Sequence, residues 1–358
     1  MGIYIFNILS LPIYKYIFKN KKQLCIVIAF QMFLILALRD DTLGVDYSNY
    51  LAGFKYIKNL SITELFSSFR LIKTAKLVHP FSYESAYVAL NWIVGKIGLD
   101  FHGLLVICAA INMISFGNFI YQYSDNPVLS YAMFSALGMY TYCFGILRQS
   151  LAVSIVLWAI PAILENKRIK SIVVIFIGFL FHRTAILFLP FILLVDRNVT
   201  KKIFQYCIVI WGVLIIIAVP LYNFFIANVI NFFGFSGYQT AQLEYNYLII
   251  IMSVVVFVIY FVINFKVFDN RELNLICWGF LLSVFLEIFG MCNEVFARSV
   301  EYYFLFSIIL IPNLIYKYHT RSTKKISEIL VYILMIVYMM ISLIDSPYNP
   351  YIIYRAIL

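Results

Sequence analysis

Charge is what this sequence has least of. Only 12% of its 358 residues are charged, against 63% that are hydrophobic, and the mean hydropathy is +0.92. A soluble domain of this length needs a polar surface, so the composition excludes that class and indicates a polytopic membrane protein. Apolar runs long enough to cross a hydrocarbon layer of about 30 Å recur along the whole chain, which leaves no room for a separate soluble domain.

Cysteine and histidine are also scarce. The six cysteines stand singly in apolar segments, with no C-x-x-C and no paired spacing, which is typical of small core residues and argues against disulfides and metal ligands. The four histidines show no ligand spacing and the chain has no D-x-D, so the residues require neither a metal nor another cofactor.

Acidic residues are fewer than basic ones, 17 against 27, and the net charge is +10. A nucleic-acid-binding protein would gather such an excess on one face, but here it lies in short loops. This is the positive-inside pattern, and attraction to anionic membrane lipids is a second effect. Nucleic acid is therefore not an expected partner. Four basic clusters predict cytoplasmic loops in the second half: 167–170, 197–202, 266–271 and 317–325.

Backbone groups in lipid must be satisfied internally, so the apolar segments predict helices. The expected fold is all-α, a polytopic bundle of about 11–13 membrane helices with short or re-entrant segments and an outward-facing cavity. We expect a single integral membrane domain over residues 1–358, with extracytoplasmic loops at 39–81 and 228–246.

Counting crossings between the basic loops shows that one apolar segment fails to cross. Our choice is 127–144, a re-entrant or broken helix, because Pro127 and Gly145 bracket it and Gly138 lies within it. The alternative is that 82–98 only dips into the membrane.

Two short segments, 170–181 and 184–195, predict a hairpin of half-helices. Each is shorter than a full span, and the outward tip is the polar stretch from Phe181 to Thr184. Half-helices that meet at polar residues often line a cavity.

Polar residues survive within this apolar chain at five places: Arg39 to Tyr50, Glu84, Arg148-Gln149, His182-Arg183 and Glu294 to Tyr303. Each has an ordinary structural explanation, such as an interfacial arginine or an i,i+4 ion pair between Glu294 and Arg298. On the preferred topology all five face outward. Together, arginines and carboxylates on one face predict a site for an anionic, hydroxyl-rich ligand.

These stretches also carry motifs, which we list in chain order. They are Arg39, Gly44, Asp46 and Tyr50 as R-x4-G-x-D-x3-Y; Glu84 before a tyrosine helix; Leu147-Arg148-Gln149 with Ala152; Phe181-His182 with Thr184-Ala185; and Arg298 with Tyr302 or Tyr303. In this order they resemble the EpsG family of O-antigen-polymerase-like (Wzy-like) proteins over about residues 30–315. Ser85 departs from the family pattern, in which proline commonly follows the glutamate.

The resemblance implies a glycosyltransferase that polymerises repeat units. It would join oligosaccharides carried on undecaprenyl diphosphate into O-antigen, capsule or exopolysaccharide at the outer face of the bacterial inner membrane. A flippase and a chain-length regulator of the same pathway are the protein partners that it implies.

Site residues follow from the resemblance and from the chemistry of their side chains. Arginines offer forked donors to a diphosphate, with Arg148 the first candidate and Arg298 and Arg39 next. The candidate bases are Asp46, Glu84 and His182. Four further residues are expected to contact substrate: Tyr50, Gln149, Arg183 and Tyr302.

Two other functional classes stay open. A flippase or exporter of lipid-linked sugars would show polar residues through the full depth of the bilayer and an internal repeat, whereas Glu287 is the one strong deep charge outside the outer clusters. A membrane sugar O-acyltransferase would need a histidine in a membrane-buried funnel on the cytoplasmic side with a partner carboxylate.

Overall fold

The computed structural model describes residues 2–44, 46–68, 83–226, 270–292, 294–318 and 321–344, together with Tyr354 and Ala356. The predicted loop 228–246 lies outside these residues. The chain groups into two compact units, Met1–Ile186 with Ile311–Leu358, and Leu187–Leu310. Each unit is described by itself, and the single membrane domain stays a prediction.

The first unit is built from short and long helices. They are α1 (Gly2–Leu9), α2 (Leu11–Ile17), α3 (Lys21–Ala37), α4 (Tyr47–Ile57), α5 (Ile62–Ser68), α6 (Ser85–Lys96), α7 (Phe101–Tyr123), α8 (Pro127–Ala136), α9 (Met139–Gly145), α10 (Leu147–Val156), α11 (Ile160–Leu164) and α12 (Arg168–Phe181). A 3₁₀ turn, Leu157–Ala159, joins α10 to α11, so that 147–164 is one nearly continuous rod.

The second unit comes next along the chain, which then returns to the first unit. Its helices are α13 (Phe191–Leu194), α14 (Lys201–Leu221), α15 (Arg271–Gly290), α16 (Glu294–Phe304) and α17 (Ser307–Tyr318), of which α17 crosses the unit boundary; α18 (Arg321–Ile344) belongs to the first unit.

The described residues confirm an all-α membrane architecture. Six helical stretches are long and apolar enough to span a membrane: 101–123, 147–164, 201–224, 271–290, 296–317 and 322–342. The described part contains no strands, and its only bridge of β type joins the backbones of Arg39 and Ala356. All six cysteines are buried and unbridged.

Helices α3 and α7 run antiparallel, and their contacts define the two ends of the first unit. At one end Lys21 lies over the ring of Tyr121, with 5.7 Å from Nζ to the centroid. At the other end, Asp41 Oδ1 is 2.7 Å from His102 Nδ1. We call these the Lys21 end and the Asp41 end. Lys15, Lys19, Lys21 and Lys22 lie at or just before the start of α3, so the positive-inside pattern predicts that the Lys21 end is cytoplasmic, and this orientation stays a prediction.

Helices α8 and α9, in the segment 127–144 that we expect not to cross the membrane, follow α3 along its length. The Tyr131 hydroxyl donates to the carbonyl of Cys25, the Tyr140 hydroxyl donates to that of Met32, and the Phe144 ring lies 5.2 Å from the Arg39 guanidinium. The pair therefore advances from the Lys21 end toward the Asp41 end. The helix is broken, as expected, because Gly138 adopts φ +90°, but it does not turn back.

The alternative segment, 82–98, contains α6, and which of the two segments crosses the membrane stays a prediction. Helices α4 and α6 run side by side in the same direction: Gly53 packs on Tyr83, and Gly95 packs on Lys58. The end of α6 shares a hydrophobic cluster with Phe101, the first residue of α7. Both helices therefore remain near the Asp41 end.

The rod 147–164 and α12 form a helical hairpin. A Cβ at Gly178 would lie 2.8 Å from Val156 Cγ1 and 3.3 Å from the carbonyl oxygen of Ala152, so only glycine allows this close approach. Because the hairpin is antiparallel, the start of α10 and the end of α12 lie at the same end. The predicted second half-helix, 184–195, is present as a short apolar helical stretch, Arg183–Leu194, which consists of a 3₁₀ segment, Arg183–Phe188, and the single turn α13. Pro190, which lacks an N–H, separates the two.

Candidate active site

An ion pair between Arg148 and Glu84 is the centre of the candidate site. Arg148 is the second residue of α10, just after the chain bends at Ile146, and Glu84 is the residue before α6. Arg148 Nη1 lies 2.6 Å from Glu84 Oε2, and the side chains are only 24% and 11% exposed. Removing one partner of a buried pair costs about 3–5 kcal/mol, because the other charge is left uncompensated.

Tyr83 supports the guanidinium from one side. Its ring lies 4.9 Å from the Arg148 guanidinium carbon, within the range of a cation–π contact. Its hydroxyl donates a hydrogen bond of 2.7 Å to the carbonyl of Asn49, in α4. Gly53, one turn further along α4, leaves the space that the ring occupies. The position of Arg148 is therefore tied to two other helices.

Tyr50 completes what we call the arginine cluster, namely Arg148, Glu84, Tyr83 and Tyr50. The Tyr50 side chain is buried and hydrogen-bonded to Arg148. Burial raises the pKa of its hydroxyl above the ordinary value, and the charge of Arg148 opposes that rise. The Tyr50 ring centroid lies 6.0 Å from that of Tyr83 and 5.8 Å from that of Tyr87, which makes an aromatic wall behind the ion pair.

Three helices begin around this cluster. Helix α4 begins at Tyr47, α6 at Ser85 and α10 at Leu147, and the contacts above bring these starts together. Helix N-termini carry a partial positive charge and unpaired backbone N–H groups. The electrostatic environment therefore favours an anion.

Two further predicted residues border the cluster. Asp46 directly precedes α4, is half-buried and interacts electrostatically with Tyr50 and Tyr83. Gln149 follows Arg148 and its side chain is completely buried. Asp46 is therefore placed to reach a ligand, while Gln149 lies in the helix packing.

His182 and Arg183 lie at the same end of the hairpin as Arg148. His182 ends α12, and its Nδ1 is 2.6 Å from Thr184 Oγ1. The preceding Phe181 packs against the hydrophobic cluster that contains Tyr50, Tyr87 and Leu147. His182 and Arg183 are both half-buried.

Arg39 has a different environment. Its side chain is 1% exposed, with Nη1 donating to the carbonyl of Leu36 at 3.2 Å and the guanidinium over Phe144. Its backbone pairs with that of Ala356. These contacts join α3, α9 and the C-terminal residues. The role of Arg39 as a diphosphate ligand stays a prediction.

Arg298 and Tyr302 belong to the second unit, in α16. Tyr302 is fully buried and Arg298 is half-buried. Helix α16 packs against α15 as a hairpin, in which Ala297 approaches Gly290 and Glu301 interacts electrostatically with Glu287. The convergence of Arg298 with Arg148 stays a prediction.

Tyr83, Tyr87 and Gly53 are not among the predicted site residues, and the structure also pairs His102 with Asp41. Tyr83 directly precedes Glu84 and Tyr87 lies in the first turn of α6, so the tyrosines on both sides of Glu84 were a usable signal. No local pattern linked Gly53 to Tyr83, or Asp41 to His102, since each contact joins residues distant in the chain.

Comparison with known proteins bears on this geometry. The model of the EpsG family matches residues 22–355, nearly the whole chain. The chain belongs to the EpsG family. This is a Wzy-like polymerase family, and membership supports a role as a multi-pass membrane protein of the polysaccharide-polymerase type. No curated protein and no solved structure matches the chain.

Proposed function

We propose that this EpsG-family protein is a repeat-unit polymerase. It joins oligosaccharide repeat units carried on undecaprenyl diphosphate into a surface polysaccharide, at the outer face of the bacterial inner membrane. The observation that carries this proposal is the arginine cluster, where a largely buried guanidinium lies among three helix starts at the Asp41 end, away from the lysines of the Lys21 end.

Arg148 would bind the diphosphate leaving group. A guanidinium presents planar, forked donors, and its geometry matches phosphate as well as carboxylate. Glu84 holds that fork in the resting structure. We infer that a diphosphate competes with Glu84 for Arg148, assisted by the partial positive charge of the helix starts.

The reaction transfers a glycosyl group. An oxygen of the acceptor sugar forms a bond to the anomeric carbon of the donor, and the bond from that carbon to the diphosphate oxygen breaks. The leaving diphosphate takes the bonding electron pair, and a base takes the proton of the acceptor hydroxyl. Arg148 would stabilise the charge that develops on the diphosphate. A single displacement inverts the anomeric centre.

Among the candidate bases, His182 is our first choice. Glu84 is engaged by Arg148, whereas His182 lies at the same end of the hairpin and is oriented by Thr184 through Nδ1. The imidazole would then accept the proton at Nε2. Asp46, at the start of α4, is the second candidate. Tyr50, Arg183 and Tyr302 are proposed substrate contacts.

Replacement of Arg148 tests the proposal. Arg148→Lys keeps the charge but loses the planar fork, so we expect polymer length to fall sharply while single repeat units accumulate. The measurement is the polysaccharide ladder from cells that carry each variant, together with the amount of protein in the membrane.

The control is Arg271→Lys, which alters an ion pair of similar length in the second unit, 2.7 Å from Arg271 Nη2 to Asp196 Oδ1. It should leave the ladder normal. A normal ladder for both Arg148→Lys and Arg148→Ala would show that Arg148 is only structural. Lipid-linked repeat units that accumulate on the cytoplasmic side would instead indicate a flippase.

A further inference from the structure

A groove of about 620 Å³ lies between α3 and α7, away from the arginine cluster. Its volume is in the range of small-molecule sites, about 300–1,000 Å³. The wall is formed by Lys22, Cys25, Ile26, Ala29, Phe30 and Phe33 of α3 and by Ala110, Met113, Ile114, Gly117, Asn118 and Tyr121 of α7.

Small residues create the groove, and large exposed ones border it. Ala29 and Gly117 let the two helices approach so closely that a Cβ at Gly117 would lie 3.0 Å from that of Ala29. Ile26, Phe30 and Ile114 are each more than half exposed in the protein alone. In a chain that spans a membrane, such a surface faces lipid.

The groove has one polar end. Lys22, Asn118 and Tyr121 lie there, and the neighbouring Lys21 is stacked on Tyr121. Among the described residues, Glu328 pairs with Lys15 and Asp125 with Lys317, and no carboxylate forms an ion pair with Lys21 or Lys22. The polar end therefore carries a net positive charge.

The length of the groove matches one leaflet. Lys22 to Phe33 is roughly 16 Å of helix at 1.5 Å per residue, against about 15 Å for half of the hydrocarbon core. A phospholipid with its headgroup at Lys22 would therefore extend one acyl chain along the whole groove, as far as the middle of the bilayer.

We propose that this groove binds an anionic phospholipid of the cytoplasmic leaflet. One acyl chain lies between α3 and α7, and the headgroup phosphate is bound by Lys21 and Lys22. The site is distinct from the arginine cluster, and the proposal does not depend on the polymerase reaction.

The experiment measures lipid binding to the purified full-length protein by native mass spectrometry, with phosphatidylglycerol and phosphatidylcholine of identical acyl chains. We expect phosphatidylglycerol to bind tighter. Lys21→Gln with Lys22→Gln should weaken its binding by about thirty-fold, from the usual contribution of two lysines near an anionic headgroup. Ala110→Phe, which fills the groove but keeps both lysines, should weaken the binding of both lipids.

The matched control is Lys201→Gln with Lys202→Gln, because these two exposed lysines begin α14 as Lys21 and Lys22 begin α3. This control should bind phosphatidylglycerol like the wild type. Equal affinity for the two lipids, or unchanged binding in both the lysine and the Ala110→Phe variants, would overturn the proposal. Displacement of phosphatidylglycerol by a polyprenyl phosphate at equal concentration would also overturn it, since the occupant would then be a substrate tail.

Discussion

At the scale of single residues, two largely buried arginines of the first unit, Arg39 and Arg148, have different surroundings. Arg39 donates to a backbone carbonyl and pairs its own backbone with Ala356. Arg148 contacts a carboxylate and two tyrosines from other helices.

His182 offers the residue-scale prediction. His182→Gln retains hydrogen bonding but cannot act as a base of comparable strength, so we expect the rate of polymerisation to fall by about 10²- to 10⁴-fold. Thr184→Val, which removes the hydroxyl beside Nδ1, should cause a smaller fall because the ring loses its orientation. The assay uses membranes supplied with lipid-linked repeat units.

His102→Gln is the control for that experiment, because His102 lies at the Asp41 end but pairs with Asp41. It should retain near-normal activity. Near-full activity in His182→Gln would remove His182 from the base candidates, and Asp46, Glu84 or the leaving diphosphate itself would have to take the proton.

At the scale of helices, the packing of α4 on α6 gives a prediction about Gly53. A Cβ at this position would lie 2.4 Å from Tyr83 Cε2, and the Tyr83 hydroxyl is held by Asn49. Gly53→Ala should therefore destabilise the protein by about 1–3 kcal/mol, as overpacking does, and lower activity by displacing the ring beneath Arg148. Thermal unfolding in detergent and the polymer ladder measure the two effects.

Gly212→Ala is the matched control, because Gly212 lies inside α14 with open space where its Cβ would be. Alanine should be neutral or stabilising there, since glycine is the poorer helix former. In a Tyr83→Ala background, Gly53→Ala should no longer destabilise the protein, because the ring that its Cβ would contact is absent. If the cost persists there, contact with Tyr83 is not its cause.

Helices and their breaks were largely predictable from the sequence, whereas crossings were not. The break near Gly138 follows from local chemistry, because glycine adopts positive φ without strain. Whether 127–144 or 82–98 crosses depends on contacts such as Tyr140 to Met32, which link residues more than a hundred positions apart. The basic residues of the loop 39–81 do not decide between the two segments, because charge bias alone does not show how α4 and α6 pack.

At the scale of the whole molecule, the family motifs were predictable in order, but their assembly was only partly so. Glu84 and Arg148 are 64 residues apart and form the ion pair, which no local pattern specified. The order of the motifs identified the candidate site residues, because the resemblance to the family depends on the sequence and needs no contacts in space. It ranked Arg148 before Arg39, but it could not predict that Arg148 pairs with Glu84 while Arg39 lies over Phe144.

The shared role of Arg148 and Arg298 is the whole-molecule prediction, since the two arginines belong to different units. If both bind one diphosphate, their substitutions act on the same transition state and are not independent. A double-mutant cycle on the polymerisation rate, with each arginine changed to lysine, should then give an interaction energy of about 0.5–3 kcal/mol.

The control cycle pairs Arg148→Lys with Arg271→Lys and should be additive within about 0.5 kcal/mol. Additive effects of Arg148→Lys and Arg298→Lys would assign Arg298 to a separate role, in the hairpin of α15 and α16, and would leave Arg148 as the diphosphate ligand of the first unit.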